Sequence, residues 1–477
     1  MSVRLQIKSS ETAPATADLI LFSAKGEFIP RPFSSDEFDG STGSAIIFHS
    51  ENRREIYIGI GDISQAKAHT YRLASAHAIR RAIAAGAQEI AIDVSNLEGF
   101  PAEIAEGLTT GQYSFDEFQT KKKTEKSVSV TLVGPKKLLK DVREKIRRGV
   151  TIGEATNYVR RLGNLPGNFV TPKTLADEAE ALANKTCLKT KVWDKGDLEK
   201  DGFGGLLAVG RSSANEPRLI RIDYNCSEKK APTLVVVGKA ITFDSGGLCI
   251  KPADQMGEMK FDKMGGCAVL GLMQAVAEYK PSCNVIGILA SAENMTGEDA
   301  YRPGDIIKTF DGQTVEVANT DAEGRIVLAD ALGYVRKKVQ PDLVIDLATL
   351  TGACVVALGE ERAGLFCKDA ALSLLMQNAG GKSGERVWSL PVGEEFEEQI
   401  SSKVADVRNL GNTKWGGAST AATFLFRWTE NLPHVHLDIA GPAMNDKEKP
   451  YRAAGATGFG VGLLSTFIES WTKSQNP

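Results

Sequence analysis

The stretch VEVANTDAEGRIVLADAL, Val315–Leu332, packs Asp321, Glu323 and Arg325 into five residues and then continues as an apolar, helix-like run. The ordinary explanation is a helix start. Thr320-Asp321-Ala322-Glu323 fits a capping box, with Thr320 as N-cap and Glu323 reaching back, and acidic residues in a first turn suit the helix dipole. That account leaves Asp321 and Arg325 without a purpose. A second cluster lies upstream in VVVGKAITFDSGGLCIKPADQMGEMKFDKMGG, Val235–Gly266. There Lys239 ends an apolar strand-like run, Asp244 precedes Ser245-Gly246-Gly247, Lys251 precedes Pro252, and Asp262 stands just before Gly265-Gly266. Taken singly, each has a bland reading: a solvated lysine, an Asx turn, a surface lysine, a helix cap. Taken jointly, charged residues beside glycines on one predicted sheet edge make those readings much weaker.

The chemistry that needs this set is two-metal hydrolysis. Two divalent ions about 3.5–4 Å apart require several carboxylates to offset their charge, and they lower the pKa of a shared water from about 15.7 towards 7. Asp244, Asp262, Asp321 and Glu323 supply up to four negative charges. A neutral lysine amine can also bind a metal where burial and nearby cations depress its pKa. A second, charged lysine and an arginine would face the oxyanion formed when a carbonyl is attacked. The five histidines, His49, His69, His77, His434 and His436, all lie outside these motifs, so a metal must be held largely by carboxylates.

The elements that position these residues read as α/β. LILF, AIIFHS, EIYIGIG, EIAIDVS and VSVTLVG look like strands, with a helix over SQAKAHTYRLASAHAIRRAIAAG. They suggest a small N-terminal domain over residues 1–150. A helical stretch, Lys136–Asn164, and the break NLPGNFVTP make a linker over 151–170. The larger domain, 171–477, alternates the strand signals TLVVVGKA, CNVIGILAS, VEVANT, LVIDLATL and VHLDIAG with the helical stretches GGCAVLGLMQAVAEY and EGRIVLADALGYVRKK. A mixed or mostly parallel sheet flanked by helices follows in each domain. Ligands bind such sheets beyond the carboxyl ends of their strands, where Lys239, Asp321 and Thr349–Gly352 are expected.

Composition bounds the partners. The chain has 477 residues, a net charge of −3 and an ordinary 42% hydrophobic content, which argues against any whole-chain preference for nucleic acid or anionic membranes. No apolar run suggests a membrane span and the start shows no secretory signal. Seven cysteines, never spaced CxxC, fit reduced thiols in a cytoplasm. The basic run QTKKKTEK reads as a solvated loop. GATGFGVG, Gly455–Gly462, lacks the spacing of a dinucleotide loop.

NTDAEGR at Asn319–Arg325, VGKAITFDSGG at Val237–Gly247 and KP…MKFD at Lys251–Asp262 closely resemble the leucyl aminopeptidases of the M17 cytosol aminopeptidase family. Weaker echoes, NLPGNFVTP, DLATLTGA, KVADVRN and HLDIAG, extend the match over Arg160–Ile468; the N-terminal part matches in layout and in YSFDEF. The resemblance implies that Lys239, Asp244, Asp262 and Glu323 hold one metal, and Asp244, Asp321 and Glu323 the other. It implies that Lys251 polarises the scissile carbonyl and that Arg325 holds a bicarbonate acting as general base. Met259, Thr349, Leu350, Gly352 and Ala443 align with the region shaping the side-chain pocket, with plain core packing as the alternative for Met259 and Leu350. The implied cofactors are two divalent ions per subunit, Mn²⁺ or Zn²⁺, with Mg²⁺ or Co²⁺ as further candidates. The implied protein is a cytoplasmic hexamer that takes bulky apolar residues such as leucine from peptide N-termini. Two departures stand out: Ala240 replaces a common glycine and is expected to tighten a turn, and Lys263 replaces a frequent methionine and is expected to point outwards. The rival readings are a two-metal phosphoesterase or amidase that needs no free α-amine, and a nucleic-acid-binding protein using QTKKKTEK and the helix around Arg147–Arg161.

Overall fold

The computed structural model describes residues 3–26, 34, 36–50, 53–94, 100–120, 126–134 and 136–475, so Lys121–Glu125 of the basic run lie outside the described residues. The chain forms two compact units. The first comprises Met1–Asn157, Lys382–Gly384 and Asp446–Ala454, and the second Tyr158–Gly381, Glu385–Asn445 and Gly455–Pro477.

In the first unit, six strands, β1 (Val3–Ser10), β2 (Asp18–Ala24), β3 (Ala45–His49), β4 (Arg54–Gly61), β5 (Glu89–Asp93) and β6 (Lys126–Val133), form one sheet in the order β1-β6-β5-β2-β4-β3. All neighbours are parallel except the hairpin pair β3 and β4. Helices Ala68–Ala84 and Pro101–Gly111 bury Ile79 and Leu108 with Ile56, Ile58, Ile90 and Val130 of the strands. Parallel strands need crossovers, and these helices supply them.

The second unit contains β7 (Lys189–Trp193), β8 (Arg218–Tyr224), β9 (Thr233–Asp244), β10 (Asn284–Asn294), β11 (Ile306–Lys308), β12 (Thr314–Glu316), β13 (Leu343–Ala348), β14 (Ala363–Cys367), β15 (Val387–Ser389), β16 (Val407–Arg408) and β17 (His434–Asp438). Eight of them form the main sheet, in the order β15-β14-β17-β13-β9-β10-β8-β7. The centre, β17-β13-β9-β10, is parallel, and antiparallel strands extend it on both sides. All six residues of β13 are buried, as expected for a strand covered on both faces. On β9, Val235, Val237 and Ile241 join the core containing Ile326 and Leu328 of helix Glu323–Tyr334. The alternate residue Ala240 faces Gly266 of helix Met264–Tyr279. These two helices therefore cover opposite faces.

Three expectations change here. β9 runs on to Asp244, so Lys239 lies inside the strand and not at its end. Ala240, buried within the same strand, tightens no turn. The VEVANT strand is only Thr314–Glu316 and belongs to a separate three-stranded sheet, β11-β12-β16. Asp321 thus comes from a loop beside the main sheet, because four residues separate it from the last strand residue, Glu316. No helix among the described residues is long and apolar enough to cross a membrane. All seven cysteines are free, three of them buried.

Candidate active site

β9 delivers Lys239 from mid-strand and Asp244 from its carboxyl end. Asp244 Oδ1 accepts the Gly246 N–H at 2.9 Å, so the Asx turn forms. Gly246 takes φ +85°, and a Cβ on it would stand 2.9 Å from Asp321 Oδ1 and 2.4 Å from the Cys249 carbonyl. Glycine here lets the second motif approach the first.

Helix Glu323–Tyr334 begins with Ala322 as N-cap and no side-chain cap bond. The expected capping box is absent because Thr320 is engaged elsewhere. Its Oγ1 donates to the Gly246 carbonyl at 2.6 Å and accepts from Cys249 N–H at 2.8 Å. The residue that read as a cap instead ties the two motifs together.

Two lysines and four carboxylates interlock. Lys239 Nζ lies 2.8 Å from Asp262 Oδ1 and 2.8 Å from Glu323 Oε1, and donates to the Thr349 carbonyl at 3.0 Å. Lys251 Nζ lies 2.9 Å from Asp244 Oδ2 and 2.5 Å from Asp321 Oδ1. Thr349 Oγ1 donates to Asp262 Oδ1 at 2.7 Å. Burial raises Asp262 well above the usual carboxylate range and Asp244 to about 7, with Glu323 adding repulsion in both cases. Burial also raises Asp321. Glu323 resists its burial because Lys239 and Lys251 hold it low. Both lysines are buried against their charge, yet the carboxylates raise them.

Four carboxylates against two ammonium groups leave an excess of negative charge in a buried place. Asp244, Asp262 and Glu323 each offer an oxygen within 4.8 Å of the others. Asp262 Oδ2 and Glu323 Oε2 are buried without a hydrogen-bond partner among the described residues. Buried carboxylate oxygens without partners, in residues grouped this closely, fit divalent cations of the hard, oxygen-binding kind. A ligating Lys239 would have to lose the proton that these same carboxylates now hold on it.

Arg325 is the third residue of the helix, 5% exposed, with Nε and Nη1 unpartnered among the described residues. Burial pushes its guanidinium down to about 10. Unused guanidinium donors in a buried place suit a small anion.

A cavity of about 220 Å³ opens on the cluster and is lined by Lys239, Asp244, Lys251, Asp262, Asp321 and Glu323. Met259, Thr349, Leu350, Gly352 and Ala443 line it too, joined by Phe261, Val355 and Met444, which were not foreseen. Every candidate metal, catalytic and pocket residue named from the sequence lines this cavity except Arg325.

Sequence reasoning missed the residues that brace these loops. Asn294 bonds Asp244, and Tyr301 donates from its hydroxyl to the Thr320 carbonyl at 2.6 Å. Asn409 accepts from Ala318 N–H at 2.7 Å and donates to the Asn319 carbonyl at 2.7 Å. Asp438 accepts from Thr351 Oγ1 at 2.7 Å and from Leu350 N–H at 3.1 Å. Asn409 and Asp438 lay within KVADVRN and HLDIAG, whereas Asn294 carried no signal beyond its place after CNVIGILAS. Lys263 corrects the expectation of an outward side chain. It is fully buried and donates to the carbonyls of Gly163 at 3.2 Å, Leu165 at 3.0 Å and Lys260. Helix Lys136–Asn164 ends there with carbonyls that need donors, and the ammonium satisfies them.

The catalytic-domain model of the cytosol aminopeptidase family matches residues 157–465, and that family's N-terminal-domain model matches residues 13–122. A probable cytosol aminopeptidase of Roseiflexus castenholzii is 40% identical over 490 aligned residues, covering 99% of this chain and 100% of the relative. Another, of Aquifex aeolicus, is 41% identical over 474 residues, covering 98% and 92%. The solved structure of the bottromycin maturation enzyme BotP in complex with Mn matches with a TM-score of 0.88 at 31% identity, over 96% of this chain and 100% of that one. This chain belongs to the cytosol aminopeptidase family, whose members are metal-dependent aminopeptidases.

Proposed function

We propose that this protein removes the first residue from peptides with a free N-terminus, preferring leucine or another bulky apolar side chain. The observation that carries the reading is the cluster itself: an interlocked set of two lysines and four carboxylates opening on a cavity walled by Met259, Phe261, Leu350, Val355, Ala443 and Met444. Asp244, Asp262, Asp321, Glu323 and a deprotonated Lys239 would hold two divalent ions, Mn²⁺ or Zn²⁺, with Mg²⁺ or Co²⁺ as alternatives. When bound, such ions supply Lewis acidity and a water acidified to about neutral pKa. The Mn named with the BotP structure supports Mn²⁺ as first choice.

The protein's own groups do the rest. Lys251 donates from Nζ to the scissile carbonyl as negative charge develops there, the interaction expected to contribute most to rate. Arg325 would hold bicarbonate, which would supply a proton acceptor for the reaction. The apolar wall takes the N-terminal side chain and excludes water from it. We place the working protein in the cytoplasm as a hexamer. Val356, 90% exposed, and Trp415, 69% exposed, are apolar surface that assembly would cover.

Release of p-nitroaniline from leucine-p-nitroanilide and from its N-acetylated form tests the reading. Turnover of the free-amine substrate alone, lost on chelation and in Asp321→Ala and Lys251→Ala, is the expected result. Equal turnover of the acetylated substrate would point to an amidase instead.

A further inference from the structure

The two carboxylates held by Lys251 come from separate chain segments, so something must fix the distance between them. Asp244 ends β9 on the main sheet, while Asp321 lies in the loop after β12 of the small sheet. Asn294 joins these segments. It is the last residue of β10, and the pairing of β10 with β9 shifts register between Ala292 and Asn294, so that Asn294 stands opposite Asp244. The extra residue lies on β9, where Thr242 and Phe243 stand against Glu293 alone, and such a bulge re-aims the end of its own strand, here Asp244, towards Asn294.

The Asn294 amide is fully buried and uses both of its N–H groups. Nδ2 donates to Asp244 Oδ1 at 2.8 Å and to the Thr320 carbonyl at 3.0 Å. The Asn294 main-chain carbonyl accepts from Ser245 N–H at 2.9 Å and from Ser245 Oγ at 2.9 Å. One residue thereby holds the Asp244 carboxylate, the next residue's backbone, and the peptide plane that leads into Asp321. Asn319 Oδ1 accepts the Asp321 N–H at 2.7 Å on the far side of that plane. The amide has only one workable orientation, because a flip would press Oδ1 against a carboxylate and a carbonyl, neither of which can donate. Room is short as well: a Cβ on Gly247 would come within 2.9 Å of Asn294 Oδ1.

We propose that Asn294 is a positioning residue that sets the spacing of the Asp244 and Asp321 carboxylates, and through it the affinity of the site for divalent metal. The proposal rests on the two-metal reading given above. Hydrogen-bond partners of ligating carboxylates commonly govern affinity in this way. Aspartate at this position would supply no N–H and would set a further carboxylate against Asp244.

The test is titration of the metal-stripped full chain with Mn²⁺, by calorimetry and by electron paramagnetic resonance, for wild type, Asn294→Asp, Asn294→Ala and Ser291→Ala. Ser291 is a buried control on the same strand, whose Oγ bonds the Ala240 carbonyl at 2.9 Å. The expected result is Mn²⁺ affinity lowered about 10- to 100-fold in both Asn294 variants. Spin coupling between paired Mn²⁺ ions should weaken, and kcat at saturating Mn²⁺ should fall with KM nearly constant. Ser291→Ala should bind Mn²⁺ as wild type does. If Asn294→Ala fails to fold, the near-isosteric Asn294→Asp carries the test. Unchanged affinity and coupling in the Asn294 variants, or an equal loss in Ser291→Ala, overturns the proposal while the two-metal reading stands. No Mn²⁺ binding by wild type overturns that reading, and the proposal with it.

Discussion

The Lys239 ammonium rests against Gly324, where a Cβ would stand 2.6 Å from Nζ. Gly324 is the second residue of helix Glu323–Tyr334, a place where alanine would normally favour the helix by about 1 kcal/mol. The close contact reverses that preference, since the buried lysine is held on three sides by Asp262, Glu323 and the Thr349 carbonyl. Gly324→Ala is therefore expected to lower stability by roughly 1–3 kcal/mol through overpacking. It should also lower kcat/KM at least tenfold by moving Lys239. Urea unfolding and steady-state kinetics on the same preparation check both; a variant more stable than wild type and fully active would show that the lysine moves aside freely.

The excess of carboxylates predicts a second effect, on folding itself. Burial raises Asp244 and Asp262, so without further cations the folded state carries a cost at this cluster. Divalent metal that binds only the folded chain should stabilise it by about 2.7 kcal/mol at one hundred times Kd. The midpoint of thermal unfolding should rise with Mn²⁺ and fall with chelator, and the Mn²⁺ response should largely vanish in Asp262→Asn. A melting curve indifferent to both additions would count against a metal site here.

The constellation was legible because its members are charged residues set among glycines and at the ends of apolar runs, a pattern visible in linear text. The central strands were legible for a related reason: β9, β10 and β13 are nearly continuous apolar runs buried on both faces. Edge strands read poorly. β7, KTKVW, buries only Trp193, and its exposed lysines look like loop. The burial of Lys263 could not be read at all, since two of its three acceptors are main-chain carbonyls about one hundred residues away in sequence. Thr320 shows how a local pattern loses to a tertiary one. TDAE satisfies the capping rule, but Gly246 and Cys249 compete for the same hydroxyl and win.

Asp330 provides a pH-dependent prediction away from the metal cluster. Burial pushes its carboxyl up to about 7, against an ordinary value near 3.9, and nearby Asp311 adds repulsion. Leu206 N–H and Phe310 N–H oppose the rise, each donating to it at 2.8 Å. Between those two values the folded chain keeps a proton that the unfolded chain has released, so stability falls as pH rises through the window. The slope is at most about 1.4 kcal/mol per pH unit. Asp330→Asn cannot titrate, and its NH₂ group faces one of the two donors, costing about 1–3 kcal/mol. Wild type should exceed the variant most at about pH 5, and the gap should narrow towards pH 7.5. Urea unfolding of both proteins across that range measures it; a constant gap would mean that Asp330 does not titrate there.

The hydroxyl of Thr320 separates the two roles that this position can have. Were it a helix cap, its loss would weaken helix Glu323–Tyr334 by about 1 kcal/mol and leave the metal loops alone. The structure has it joining Gly246 and Cys249 across the two motifs. Thr320→Val keeps the shape, removes both bonds, and leaves a buried carbonyl and N–H unpaired at a cost of about 1–3 kcal/mol. Because both roles predict lost stability, stability cannot decide between them. Activity can: Thr320→Val should lower kcat/KM about 10- to 100-fold by freeing the Gly246 turn. Thr320→Ser, which retains the hydroxyl, should stay near wild type. Helical circular dichroism should be the same in all three proteins. A Thr320→Val protein with lower helix content and intact kcat/KM would return the residue to its capping role and remove the bridge between Asp244 and Asp321 from the account of the site.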